Sequence, residues 1–287
     1  MITRDVEPAQ LADLLRNPPR AALAAVVDGR VELYPVGVVA DDPGNPRSLT
    51  VTMPPSSPDL AKHDVVVVID DGAAWFELRS LTFRGSAVSA GAQTYSIVPS
   101  RVVAWDYGAL RQASDSSVVR RRSLVLAAAT DADREPPFSS ARLDAELATS
   151  RVMIVASRSP SGRPFAVPLW FTTCGGRLLA TTSASSWTVR NVAACPHVVI
   201  LFGGGRQGDA TRLIVPSRAS AVTGAPPPTA LARIAWRYYL SPRFAATELA
   251  HARLWTRRIR YYTQSRPAYL VITPQSAVPV EAPLPPR

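Results

Sequence analysis

Two stretches of this sequence carry residue types that can hold an anion. The first runs from Ala180 to Asn191, where Thr181, Thr182, Ser183, Ser185, Ser186 and Thr188 lead up to Arg190. A phosphate dianion needs several donors and a fixed positive charge. Hydroxyls, loop amides and a forked guanidinium supply them, each charge-assisted bond contributing roughly 1.5–3 kcal/mol. The same composition suits a plain polar connection in which Ser185 or Ser186 caps a helical turn. In the second stretch Arg233, Arg237, Arg253, Arg257, Arg258, Arg260 and Arg266 interleave with Trp236, Tyr238, Tyr239, Trp255, Tyr261 and Tyr262. Such a mixture can grip nucleic acid by phosphate contact and stacking, cover a groove as a lid, or pack its rings on a scaffold while the arginines stay solvated.

Other chemistry is scarce. There is no G-x-S-x-G and no Walker loop, and His63, His197 and His251 lie too far apart in sequence for zinc-ligand spacing. Cys174 and Cys195 are too few for a disulfide framework, and Cys174, before Gly175 and Gly176, reads as a spectator. Gly203, Gly204 and Gly205 follow a strand-like run without opening a helix, which argues for a hairpin over a phosphate cradle.

Composition narrows the class. Of 287 residues, 47% are hydrophobic and 19% charged, as expected of a chain that buries a core. No run approaches the roughly 18–20 apolar residues that cross a bilayer, and the opening MITRDVEPAQ has acids where a signal peptide needs a basic start. A cytoplasmic protein without membrane contact is expected. Residues 1–150 carry 15 Lys+Arg against 19 Asp+Glu and residues 151–287 carry 17 against 3, so the halves stand at −4 and +14. A GC-rich codon bias accounts for arginine over lysine, of which Lys62 is the sole example, but not for this asymmetry. The asymmetry points to an anionic partner of the second half: a phosphorylated cofactor, a polyanionic tail or nucleic acid.

These residues need a scaffold, and the chain supplies it twice. The run 21–40, turning at Asp28 and Gly29, is matched by 151–172, turning at 159–162; SLTVTM (48–53) by RLLATTS (177–183); and Val65–Ile69 by Val198–Phe202 at an offset of 133. ELRSLTFRGSAV (77–88) matches TRLIVPSRASAV (211–222) with Arg84 set against Arg218, and 95–105 matches 269–278 at an offset of 175. Short helices at 8–16 and 141–150 open the copies. The second copy holds about 42 extra residues, roughly 224–268, read as two helices broken at Ser241 and Pro242. Each copy thus reads as six short strands with turns between them, the pattern of a small antiparallel barrel. The fold class is mainly β: two tandem six-stranded split β-barrels packed as a pseudo-dimer, with peripheral helices. Expected units are a first barrel (1–110), a linker (111–140), a second barrel (141–278) with the insertion, and a Pro-rich tail (279–287) that frays.

The order of GRPFAVPLWF, RLLATTS, a Ser-rich loop with a basic residue, NVAACPHVVILF and SRASAVTG resembles the pyridoxamine 5′-phosphate oxidase-like, or flavin split-barrel, family. The resemblance covers most of the second copy and, more loosely, the first. It implies a barrel that binds FMN, or alternatively deazaflavin coenzyme F-420 or haem, in a groove between two barrels, and hence an oxidoreductase acting on a small molecule. Carried over, the phosphate stretch is Thr181, Thr182, Ser183, Ser185, Ser186, Trp187 and Arg190, with arginine where members commonly have lysine. Val167, Pro168 and Trp170 flank the isoalloxazine, with Trp170 or Trp187 stacking near it, although either Trp equally suits plain barrel core. The first copy departs from the pattern. Its loop, 53–62, is shorter, has three prolines and puts Asp59 where a cation is wanted, which makes a degenerate site there. The alternative is a non-catalytic binding protein whose flavin site has decayed, holding haem, another anionic ligand or nucleic acid. His197 and His251 are the histidines available as haem ligands. The tandem pair acts as its own dimer or pairs again as a homodimer.

Overall fold

The computed structural model describes residues 4–72, 77–106, 136–203, 211–240, 242–250, 252, 256 and 266–285. The first sheet contains β1 (Arg4–Val6), β2 (Arg20–Val27), β3 (Arg30–Pro35), β4 (Gly37–Ala40), β5 (Leu49–Thr52), β6 (Asp64–Asp70), β7 (Arg79–Gly91) and β8 (Thr94–Asp106). Its order is β3-β2-β6-β7-β8-β5-β4, with β1 added to β8. The second sheet contains β9 (Val152–Arg158), β10 (Pro164–Trp170), β11 (Thr172–Cys174), β12 (Arg177–Ser183), β13 (His197–Phe202), β14 (Thr211–Thr223), β15 (Pro267–Pro274) and β16 (Val278–Glu281). It repeats the order as β10-β9-β13-β14-β15-β12-β11, with β16 on β14.

In each sheet one run of chain supplies both ends of this order. β3 and β4 are a single run bent at Val36, and β10 and β11 a single run bent at Phe171. The first half of the run pairs with β2 or β9 and the second half with β5 or β12, which curls each sheet into a split barrel. Two tandem split barrels, mainly β, are therefore what the repeat encodes; the bend cuts the second of the six expected strands in two. The tight turn of the first hairpin is carried by Asp28 and Gly29 at φ 48° and 75°, the type I′ conformation that suits a right-twisted ribbon.

Strand alternation divides the apolar residues between three cores. Leu23, Ala25, Val65, Val67 and Phe83 fill the first barrel, and Met153, Val155, Ile200, Phe202 and Val215 the second. The residues between them face the other barrel: Ala22, Ala24, Val31, Leu33, Val66 and Val68 meet Ile154, Ala156, Ala166, Val199 and Leu201. Central strands buried on both faces read as continuous hydrophobic runs, as VVVVID does here. At one end of this seam Arg20 Nη2 lies 2.6 Å from Asp70 Oδ1, its Nε donates to the same carboxylate, and its Nη1 donates to the Val152 carbonyl of the other barrel at 3.0 Å. Burial pushes the Asp70 carboxyl up, against the pull of the Arg20 guanidinium and of the Gly72 amide that donates to it at 2.8 Å.

Register corrects one part of the repeat. The Ala87 amide donates to the His63 carbonyl and the Ala219 amide to the Pro196 carbonyl, so Ala87 and Ala219 are equivalent. Arg218 therefore corresponds to Ser86, and Arg84 to Pro216, two residues from the match made on shared letters. A slip of two residues keeps every side chain on its original face, so the hydrophobic pattern does not detect it. The tail also differs from expectation. β15 stops at Pro274, leaving the first half of β14 open on the edge away from β13, and β16 takes that edge, pairing Val278 with Ile214 and Glu281 with Thr211. Ala282–Pro285 then cross to the first barrel instead of fraying.

Helices are peripheral. A 3-10 turn (Pro8–Leu11) and α1 (Ala12–Arg16) open the first copy, and α2 (Ala141–Thr149), capped by Ser140, opens the second. α3 (Trp187–Ala194) links β12 to β13. The insertion consists of α4 (Pro228–Ile234), a π turn (Ala235–Tyr239) and α5 (Pro242–Ala250). Among the described residues no helix is long and apolar enough to cross a membrane.

Candidate functional site

Thr181, Thr182 and Ser183 form the end of β12, paired with Tyr269, Ala268 and Pro267 of β15, and are half-buried. Beyond them the chain turns tightly into α3. The Ser185 amide and hydroxyl both bond Ser183 Oγ, the two hydroxyls lying 2.9 Å apart, and the Ser186 amide donates to the Ser183 carbonyl. Ser186 is the N-cap: its hydroxyl accepts from the Val189 amide at 3.2 Å, leaving its own proton to donate elsewhere. The capping role open in the sequence thus falls to Ser186, while Ser185 stays exposed. The Trp187 and Thr188 amides are the first two of the helix and have no acceptor within it.

Arg190 lies one turn into α3. Helical side chains lean towards the N-terminus, and the Arg190 guanidinium sits 4.6 Å from the ring centroid of Trp187, which is 57% exposed. A cation folded back onto a helix N-terminus stands at the wrong end of the macrodipole unless an anion shares the position. The Ser183 and Ser185 hydroxyls, the two helix-end amides and this guanidinium all belong to the turn that opens α3, and these are donor types that a phosphate accepts. Buried Asn191 donates to Ser157 Oγ at 3.1 Å and ties α3 to β9.

Val167, Pro168 and Trp170 lie on β10, an end strand of the sheet, where the missing amide of Pro168 costs no ladder bond on the open side. Trp170 packs edge-on to Tyr238 of the π turn, 5.3 Å between centroids, in a cluster with Ile234, Tyr239 and Phe244. Tyr238 shows that rings of the insertion pack on the barrel, though the sequence does not say which backbone groups they meet. Its hydroxyl accepts from the Phe171 amide at 3.1 Å and donates to the Phe171 or Arg151 carbonyl, satisfying backbone groups that the strand bend frees. Burial pushes the Tyr238 phenol up. Arg237 lies over the Phe171 ring at 5.2 Å and donates to the Leu147 and Ser150 carbonyls, and Arg233 donates to the Thr173 carbonyl at 2.6 Å. The insertion is rooted at the turn that opens α3, since Gly224 bonds the Pro267 carbonyl and Ala184 bonds the Arg266 carbonyl. It is therefore a braced part of the second barrel. Arg253, Trp255, Arg257, Arg258, Arg260, Tyr261, Tyr262 and His251 lie outside the described residues; His197 is exposed at the start of β13. Tyr238→Phe, which leaves the Phe171 amide without an acceptor, is expected to cost about 1–3 kcal/mol in denaturant unfolding.

The equivalent loop of the first barrel is differently spent. Met53 to His63 spans ten residues, where its counterpart, Thr182 to Pro196, spans fourteen and contains α3. The amides of Met53, Ser57, Leu60, Ala61 and Lys62 all donate within the barrel, and Pro54, Pro55 and Pro58 have none. Asp59, held below the usual carboxylate range by the Ala61 amide and the Tyr95 hydroxyl, puts a negative charge at its mouth. Across the seam from this loop Arg163 faces Asp64 at 3.8 Å and Arg84 lies over Phe165 at 5.1 Å. The same register positions beside the second loop hold Arg30 and His197, and Pro216 and Glu32, so neither contact is repeated.

Two split barrels back to back, one with a hydroxyl-lined helix end and one without, define a tandem split-barrel protein with inequivalent halves. Residues 139–262 match the family described as pyridoxamine 5′-phosphate oxidase. That match falls on the second barrel, and the first barrel repeats the same strand order. Among solved structures, the chain is similar to a protein described as a putative pyridoxamine 5′-phosphate oxidase from Listeria innocua (17% identity, TM-score 0.31, 48% of this chain and 95% of that one). It is also similar to an F420 reductase (19%, 0.33, 47% and 94%) and to a heme binding protein from Mycobacterium smegmatis (19%, 0.30, 47% and 50%). No curated protein matches.

Proposed function

We propose that the second barrel holds a phosphate-bearing flavin-type cofactor, FMN in the first place and deazaflavin coenzyme F-420 as the alternative, and that the protein is an oxidoreductase acting on a small molecule. The observation that carries this reading is the α3 N-terminus, where Arg190 is folded back over Trp187 beside the Ser183 and Ser185 hydroxyls in a barrel that matches this family. Thr181, Thr182, Ser183, Ser185, Ser186 and Arg190 surround the phosphate. Val167, Pro168, Trp170 and Trp187 supply apolar and aromatic surface for the ring. When bound, the cofactor supplies the redox chemistry, and the chain contributes binding, orientation and local electrostatics. A reducing, cytoplasmic setting fits the two free cysteines.

The first barrel is a wall of the groove and not a second site, because its loop amides are already used and Asp59 repels an anion. The test is a visible absorption titration of the purified chain with FMN, a deazaflavin and haem in turn. The expected result is saturation with one flavin-type cofactor per chain. Two per chain refutes the degenerate first barrel, and no binding of FMN or deazaflavin refutes the flavin reading.

A further inference from the structure

The C-terminal segment lies across the end of the barrel pair. β16 belongs to the second barrel through its pairing with β14, and Ile214, opposite Val278, packs against the core between the barrels. Directly after Glu281 the chain crosses to the first barrel, where Ala282–Pro285 roof a cavity of about 180 Å³. Its walls include Pro18, Pro19, Val36 and Val38 of the first barrel and Arg212 of the second, and its floor reaches Arg20, the residue whose Nη1 bridges the barrels. Proline-rich chain suits this task, since it gives up little conformational freedom on lying down in an extended form.

Gly37 shows how closely the segment sits. A methyl group on Gly37 would collide with the Leu284 carbonyl oxygen and stand 2.7 Å from its carbon and 2.9 Å from Pro285 Cα. Gly37 is not among the residues of positive φ, so its own backbone accepts alanine, and the three atoms nearest an added methyl all belong to the C-terminal segment. The register of β3 with β2 and β10 with β9 makes Gly37 equivalent to Trp170. The two copies thus cover the same position in different ways, the first with the end of the chain over a glycine and the second with the insertion over a tryptophan.

We propose that residues 282–285 are a strap that clamps the first barrel to the second, and that glycine is required at position 37 to admit it. The strap bridges a cavity and is not fused into either core, so it can release without unfolding either barrel. The test is a double-mutant cycle in the full-length chain, combining Gly37→Ala with a strap loosened by Pro283→Gly, Leu284→Gly and Pro285→Gly. Each arm is expected to lower Tm by about 5 °C, and the combined variant should melt no lower than the loosened strap alone. Additive losses, or a Gly37→Ala chain that melts like the wild type, overturn the proposal. Should Gly37→Ala fail to fold, hydrogen exchange of the loosened-strap chain decides. Faster exchange in Gly37–Ala40 and Val278–Glu281 supports the strap, and unchanged exchange overturns it.

Discussion

Asp70→Ala is expected to cost the protein about 3–5 kcal/mol and to lower Tm by roughly 10 °C. Arg20 is 3% exposed, so loss of the carboxylate leaves a buried guanidinium with only the Val152 carbonyl and no counterion. The pair is not a requirement of the fold, because the equivalent positions of the second barrel are Val152 and Gly203 and that barrel closes without it. Its place is the seam, where the Arg20 side chain is bonded to both barrels. Replacing both partners with apolar residues, Arg20→Met with Asp70→Leu, should therefore recover most of the loss, since it removes the unpaired charge along with the bond. Denaturant unfolding of the wild type, both single variants and the double variant measures this directly. A cost below about 1 kcal/mol for Asp70→Ala would mean that water reaches the pair and that the seam rests on apolar contact alone.

The barrels were legible because their central strands are buried on both faces and therefore hydrophobic without a break, and because the first hairpin of each copy is marked by its own turn residues, Asp28 with Gly29 and Ser159 to Gly162. A helical turn capped by Ser185 or Ser186 was one of the two readings of its loop; the structure puts the cap on Ser186 and lengthens the turn into α3. What local pattern does not carry is register and long-range contact. Shared letters put Arg84 against Arg218, and only the bonds of Ala87 and Ala219 show the two-residue slip. Tyr238 was one of several rings of the insertion that could pack on the scaffold, and nothing local singled it out, since the backbone groups it satisfies lie at a bend 67 residues away. The C-terminal segment reads as loose because proline and alanine carry no pattern. Its order comes from an edge of β14 that β15 leaves open and from the absence of a side chain at Gly37.

Arg190→Ala separates scaffold from site. Arg190 is half-buried at the surface and its contact in the fold is the face of Trp187, so its loss should lower stability by no more than the roughly 0.5–1 kcal/mol of an exposed cation–π pair. If the α3 N-terminus holds a phosphate, the same change removes a charge-assisted bond worth roughly 1.5–3 kcal/mol, a 10- to 150-fold loss of FMN affinity. Arg190→Lys keeps the charge but neither the fork nor the planar stack, and should fall between the two. Riboflavin provides the control, because it presents the same ring without the phosphate. Its affinity should be weak in the wild type and unchanged by Arg190→Ala. Equal losses for FMN and riboflavin would move Arg190 from the phosphate to the ring, where its partner Trp187 already offers a face. Unchanged FMN affinity would remove α3 from the site and leave its hydroxyls as the cap and turn of an ordinary connection.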